Sequence, residues 1–498
     1  MKRIERLAAE GEDCAALGLT RPRRSFVTWC SHAFLSLCIV LVLIGGAGFV
    51  ILRGGVNSDL LRDEAQKSLS GILGEEASAS IASAGLSLDQ NSLVALEARG
   101  VSISEPKQGL EIKDIRSVRL GLAPLPLLTG KVRVAELEID GASFDLPEQK
   151  GAGFWKSLPY DNNGYIDFDA VSNELFSTMR RNLELLRDQN TQAIGLLNTT
   201  IRFKTGDTQQ SVEVKKLRLV ENNGKISIEG SVVWQNKTIA IDGNIDRKGQ
   251  ENDLDAFQIK VSNLPIDLGS PEEVAPIIDG NRVNPAHFDL QGKASLALSG
   301  KAANGENPER VTADLAVDGI EMEIGRVNDV LGKAALRIEH SVGSGKLEIK
   351  PSRIQLGGMN AAFNGAFGPD PDSENNAGGP SYRFEVVTSS ATSMPAESSD
   401  PELPFGVKIA GRFLANQQRL QFSNLDVKTE TGELYGQGSM AFGNGSPEMI
   451  FMLRIPEMPV ADAKHLWPID VADGAREWVL KNLYGGILKD SRIDISLA

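Results

Sequence analysis

The side chains able to make and break bonds in this 498-residue chain are few and scattered. Cys14, Cys30 and Cys38 could supply a nucleophile, a disulfide or thiolate ligands, but no cysteine follows them, so the long remainder has neither a cystine framework nor a cysteine-based zinc site. His32, His287, His340 and His465 stand far apart and in no paired metal-ligand spacing, and each reads as an ordinary surface or core histidine. The acidic pairs Glu272 with Glu273 and Asp370 with Asp372 have the residue type for acid–base work, yet they fall in turn-forming contexts that solvated charge already explains. No GxSxG elbow, P-loop or HExxH pattern occurs. The residues therefore argue against an enzyme, with no cofactor and no metal expected.

Charge narrows the partners. The formal balance is -14, from 52 basic and 66 acidic residues, which is the wrong sign for a phosphate-seeking surface, so nucleic acid is not expected as a partner.

What the chain does have in quantity is alternation. In PLLTGKVRVAELEIDGASFDL, Pro126–Leu146, apolar and charged residues alternate after Gly130, the period of a strand with one dry and one wet face. The same period runs through TIRFKTG, SVEVKKLRLVE, KISIEGSVVW, GKLEIKPSRIQLGG and RLQFSNLDVKTE, separated by Gly, Pro and Asn turn chemistry. The fold class expected is mainly β: a single N-terminal transmembrane helix followed by a long, twisted antiparallel sheet that forms an elongated apolar groove, with a few helices. The candidates for the groove lining are Val132, Val134, Leu137, Ile139, Ile226, Ile228, Ile239, Ile241, Leu347, Ile349, Ile354, Leu356, Leu420 and Phe422. Periodicity alone does not separate a groove from an ordinary core packed against a second layer. A shortage of helices to cover so much apolar surface favours the groove.

No charged residue occurs from Ser25 to Leu52, and Phe34–Leu52 as a helix would span about 28 Å, close to the hydrocarbon thickness of a bilayer. Lys2, Arg3, Arg6, Arg21, Arg23 and Arg24 precede this stretch while only Arg53 and Arg62 follow closely, which predicts a cytoplasmic N-terminus. The expected organisation is a basic tip at 1–24, a transmembrane helix at 25–52, a first β region at 53–165 with a capping helix over Asn57–Ser83, a helix packed on the sheet at 166–197, and a continuing β-groove region at 198–498. The second helix has apolar positions three or four apart, Asp167 as N-cap, and Arg180, Arg181, Glu184 and Arg187 turned outward. Mobile loops are expected at 300–310, 368–381 and 388–404 from their Gly, Pro, Ser, Asn and Asp content. A weak repeat pairs VSNLPIDLGSPEEVAPIID with LRIPEMPVADAKHLWPID, each reading as strand, Pro-kinked bend, short helix and next strand. Ala475–Leu483 has helical spacing, and its tryptophan-containing segment reads as a packed cap.

The basic tip with single anchor, the phrase LAPLPLLTGKVRVAELEIDGASFDLP and the later HLWPIDVADGAREWVLKNLYGG together resemble the AsmA-like envelope proteins, of the YhdP type. The resemblance covers nearly the whole chain. It implies a single-pass bacterial inner-membrane protein, its bulk in the periplasm, that bridges toward the outer membrane and carries phospholipid, with outer-membrane or other envelope proteins as possible partners. Proteins of that type are usually much longer, so the resemblance implies an N-terminal fragment. The alternative reading is a membrane-tethered scaffold for outer-membrane biogenesis with no lipid cargo.

Overall fold

The computed structural model describes residues 56–57, 62–63, 66, 78–89, 93–105, 110–123, 134–145, 158–188, 192–205, 208–222, 224–248, 253–267, 277–278, 281–282, 288–324, 327–370, 379–394, 401–441, 448–467 and 473–497. The basic tip and the expected transmembrane helix lie outside them. Among the described residues no helix is long and apolar enough to cross a membrane.

Alternating sequence becomes strand almost throughout. Strands β1 (Val56–Asn57), β2 (Ser78–Asp89), β3 (Leu93–Glu105), β4 (Leu110–Leu122), β5 (Val134–Asp140) and β6 (Ser143–Asp145) precede a 21-residue helix, α1 (Phe168–Asp188). Then come β7 (Ala193–Thr205), β8 (Thr208–Asn222), β9 (Lys225–Trp234), β10 (Lys237–Lys248), β11 (Asp253–Asp267) and a small separate hairpin, β12 (Ile277–Ile278) with β13 (Asn281–Arg282). They are followed by β14 (Phe288–Lys301), β15 (Arg310–Ile324), β16 (Val327–Ser341), β17 (Leu347–Leu356), β18 (Met359–Pro369) and β19 (Ser381–Ser393). The remainder is β20 (Leu403–Leu414), β21 (Arg419–Thr429), β22 (Glu433–Ala441), β23 (Glu448–Pro459), the short helices α2 (Val460–Leu466) and α3 (Asp473–Asn482), and β24 (Ile487–Leu497).

All strands except β12 and β13 belong to one 22-stranded sheet. Apart from β5 and β6, each strand of the sheet pairs with the sheet strands before and after it in chain order, so the sheet is a ribbon of successive, mostly antiparallel strands. The β9–β10 turn shows why such pairs close easily: Gln235 and Asn236 have φ of 48° and 60°, the left-handed pair of a two-residue hairpin whose twist matches its strands. With β5 and β6 side by side on one tier, the end strands lie on the order of 100 Å apart along the ribbon, at about 4.8 Å per strand.

The antiparallel meander has one exception. β5 and β6 pair with β7 in parallel, a connection no hairpin can make, and α1 lies in the crossover. Asp167 caps α1 as expected, its Oδ1 accepting from the Ala170 N–H at 2.8 Å.

Several expected boundaries are corrected. The helix expected to reach Ser83 gives way to β2 by Ser78, because SASIAS alternates small residues that suit a strand as well as a helix. The helix expected at 166–197 ends at Asp188, and Ala193–Leu197 is strand, held by β5 on one side and β8 on the other. Thr388–Ser393 and Leu403–Pro404, expected in a loop, extend β19 and β20, since Ser and Thr suit strands when neighbours supply the ladder. Gly368–Pro369 and Ser381 are likewise strand ends, as are Gly300, Lys301 and Arg310. In the first copy of the weak repeat, Ile277–Ile278 pairs with Asn281–Arg282, and the preceding residues in which the short helix is expected lie outside the described residues. The second copy does carry helices, α2 and α3.

Candidate functional site: a continuous apolar face

Residues paired across adjacent strands point to the same side of a sheet, so the register traces each face without interruption. From Leu86 the rung passes through Leu96, Leu120 and Leu137 to Ile194, Leu219 and Ile228. A parallel rung continues from Ile241 through Val261, Leu296 and Leu315 to Leu336. The face then carries on through Ile338 and Ile349, and reaches Phe384, Phe422, Phe451 and Ile495 at the far end. It stays apolar from the first long strand to the last.

Every groove candidate within the described residues lies on this face, and Val132 lies outside them. Val134, Leu137 and Ile139 pack against a buried cluster that includes Val101, Ile115 and Val118. Ile226 is fully buried and Ile228 packs beside it under α1, while Ile239 is 5% exposed. Ile241, Leu347, Ile349, Ile354, Leu356, Leu420 and Phe422 are half-buried. The first six thus belong to closed packing, and the last seven line the part of the face that the chain covers less.

The opposite face is polar and laced with cross-strand ion pairs such as Arg337–Asp314 at 2.5 Å, Lys350–Glu339 at 3.1 Å and Lys408–Glu385 at 3.0 Å. Such exposed pairs are individually weak. Their value lies in keeping this side wet and the register fixed. Lys350 and Glu348 show the mutual effect: the hydrogen bond to Lys350 holds Glu348 below the ordinary carboxylate range, and the same bond raises Lys350.

Helix α1 lies over the apolar face along one rim of the ribbon. Phe176, fully buried, meets Phe257 of β11 edge to face at 5.4 Å. Phe168 at the helix start meets Phe367 of β18 at 6.5 Å. Asp169 Oδ1 lies 2.8 Å from His340 Nε2 and accepts from the Gly343 N–H at 2.9 Å. Arg180, expected to point outward, instead reaches Glu309 at 2.6 Å and Asp253 at 3.6 Å, clamping the helix to two rim turns. Just before the helix, the Ile166 N–H donates to Tyr382 Oη at 2.8 Å and the Tyr165 ring meets that of Tyr382 at 5.6 Å.

Away from that rim the face opens. Leu296 and Leu315 are paired partners one position further along their strands, and they are 38% and 36% exposed. Val311, four residues before Leu315 and packed under α1, is 9% exposed. The contrast separates covered from uncovered on a single strand.

A second feature had no signal in the sequence. On one rung, Phe384, Gly411, Phe422, Gly438 and Phe451 follow one another across β19 to β23. A Cβ on Gly411 would lie 2.8 Å from Phe384 Cζ, and one on Gly438 would lie 2.6 Å from Phe451 Cδ1. The rings lie down over bare glycine backbone, making a thin apolar floor. Ring lists in a sequence cannot show this, because it depends on which residues the register places side by side.

The short helix α2 lies at the opposite rim of the same face. Asp462 accepts from the Thr429 hydroxyl at 2.7 Å and the Thr431 hydroxyl at 2.8 Å, and Ser393 Oγ donates to the His465 carbonyl at 2.8 Å. In the tryptophan segment, expected as a packed cap, Trp467 is half-buried while Trp478 of α3 is 58% exposed, so the second tryptophan does not share the packing. Among the described residues no group of three or more His, Cys, Asp or Glu side chains is placed to hold a metal ion. His340 is a buried residue tying the sheet to α1.

No family model, no curated protein and no solved structure matches the chain.

Proposed function

We propose that the apolar face is a trough for acyl chains and that the protein carries phospholipid along it, as a membrane-anchored periplasmic bridge of the AsmA-like, YhdP type. In this reading residues 25–52 anchor the chain in a bacterial inner membrane, with the N-terminus cytoplasmic and the ribbon reaching toward the outer membrane. The physical need is plain. Exposing a lipid tail to water costs about 0.8 kcal/mol per methylene, on the order of 13 kcal/mol for a sixteen-carbon chain, and an unbroken dry face removes that cost at each step.

The observation that carries the reading is the exposure of Leu296 and Leu315 on a face that is apolar from end to end. Soluble proteins rarely leave contiguous apolar surface open unless something binds there. The opposite face supports it too: it is charged along most of the ribbon, and its exposed apolar residues Ile450 and Met452 form a local patch near the last strands, not a continuous run.

The test is mass spectrometry of lipid bound to the full chain purified in mild detergent, with photocrosslinking from a probe at Leu315 and a control probe at Ala316 on the polar face. Phospholipid adducts at Leu315 and none at Ala316 are expected. Protein adducts alone at Leu315, with no copurified phospholipid, would leave the scaffold reading in place of transport.

A further inference from the structure

The two helical segments wall opposite rims of the same face, and along the ribbon they meet at one strand. At the first rim of β19, Tyr382 is 2% exposed beneath Tyr165 and Ile166, which lead into α1. At the second rim, Ala391 is 3% exposed and Ser393 is bonded to His465 at the end of α2. From β11 to β18 the wall is α1 at the first rim, fixed by Phe176 and Arg180. At β21 the wall is α2 at the second rim, fixed by Asp462 on Thr429. On β19 both ends of the face are taken, and Phe384 and Val386 lie between them, half-buried.

We propose that β19 is a neck in the trough, at which passing cargo is sorted by the size of its polar head. This rests on the lipid-trough reading. An acyl chain needs only the dry floor, but its headgroup must stay in water, so along a stretch with one wall the head overhangs the open rim. Among the described residues both rims are walled at β19, and beyond it the wall stands on the other side. The head must therefore cross above the floor between the Tyr165–Tyr382 and Ser393–His465 contacts, and a bulky head crosses more slowly than a small one. Desolvating an unpaired polar head inside the neck is the unfavourable step.

The experiment uses the full chain in vesicles that hold radiolabelled phospholipid and are the only lipid source, with photocrosslinking probes at Leu315 before the neck and Leu420 after it. Val386→Trp, which raises the floor, should leave the adduct at position 315 unchanged and lower that at 420 about tenfold. Ser393→Ala, which releases the His465 contact, should raise the 420 adduct at least twofold for a glycosylated headgroup and little for ethanolamine. Labelling at 420 that neither variant changes, with 315 labelled normally, would overturn the neck and spare the trough. Absence of lipid adducts at both positions in the unsubstituted chain would instead sink the trough reading itself. Because the second variant widens where the first obstructs, misfolding of Val386→Trp still leaves a decisive measurement.

Discussion

Phe384 and Phe422 stand on strands separated by β20, yet their ring centroids are 5.8 Å apart because Gly411 lies between them. The next pair, Phe422 and Phe451, closes to 5.3 Å over Gly438. A Cβ at Gly411 would also lie 2.0 Å from the Gln421 carbonyl oxygen, so the strand itself would have to move. Gly411→Ala should cost about 1–3 kcal/mol, the usual range for overpacking, read as a lower denaturant midpoint. A midpoint unchanged from the parent protein would show that the rings do not depend on the bare backbone.

Phe176 is the main apolar anchor of α1. Phe176→Ala should cost about 3–5 kcal/mol. Hydrogen exchange should quicken most in Phe168–Asp188 and in the rim ends of β10 and β11, where Ile245 and Phe257 lose their cover. Uniform quickening across the ribbon would contradict this.

Asp169 serves His340 and the Gly343 amide together. Removing it leaves a buried ring nitrogen without its partner, so Asp169→Ala should destabilise the protein by about 1–3 kcal/mol. Asp169→Asn keeps an acceptor in place and should cost less. Equal losses from the two variants would assign the effect to charge at the helix start and not to the hydrogen bonds.

The open part of the face should tolerate polarity. Leu296→Gln combined with Leu315→Gln replaces two partly exposed side chains and should shift the denaturation midpoint little, within about 0.5 kcal/mol per site. Copurified phospholipid should fall several-fold in the same preparation. A stable double variant that retains its full lipid complement would remove these positions from the cargo path.

Burial lifts the Tyr382 phenol above the ordinary tyrosine value of about 10, and the hydrogen bond from Ile166 offsets part of that shift. The folded state thus favours the neutral phenol. The stability linked to it is whole below the unfolded value and is lost as pH rises through the higher folded one. Denaturation midpoints should therefore drop from about pH 10 upward, and Tyr382→Phe should flatten that drop while lowering stability at neutral pH.

Much of this architecture was legible in the residues. KISIEGSVVW alternates so regularly that its strand and the shared face of Ile226 and Ile228 follow from period alone, whereas in GKLEIKPSRIQLGG the phase changes after Ile349, and a β-bulge between Ile349 and Ser352 is what brings Ile354 and Leu356 to the face of Leu347 and Ile349. Low-contrast stretches were less readable: SASIASAG presents small side chains on both sides, and TSSATS lacks large apolar residues, so each forms strand through its neighbours' hydrogen bonds. Long-range relations were not legible. The parallel joint at β7, the meeting of α1 with β18 and β19, and the glycines beneath the phenylalanines all depend on which distant segments become adjacent.

The contacts of the segment leading into α1 also set an order of assembly. From β7 onward the ribbon can grow as each new strand emerges, since every partner is the sheet strand made just before it, with only the small β12–β13 hairpin intervening between β11 and β14. Tyr165 and Ile166, however, find Asp370 and Tyr382 only 205 and 216 residues later. During synthesis the stripe of α1 around Phe176 and Leu183 can dock as soon as β9 to β11 exist, whereas the Tyr165–Ile166 end must wait until most of the ribbon has been made, so the helix is latched at its start last of all.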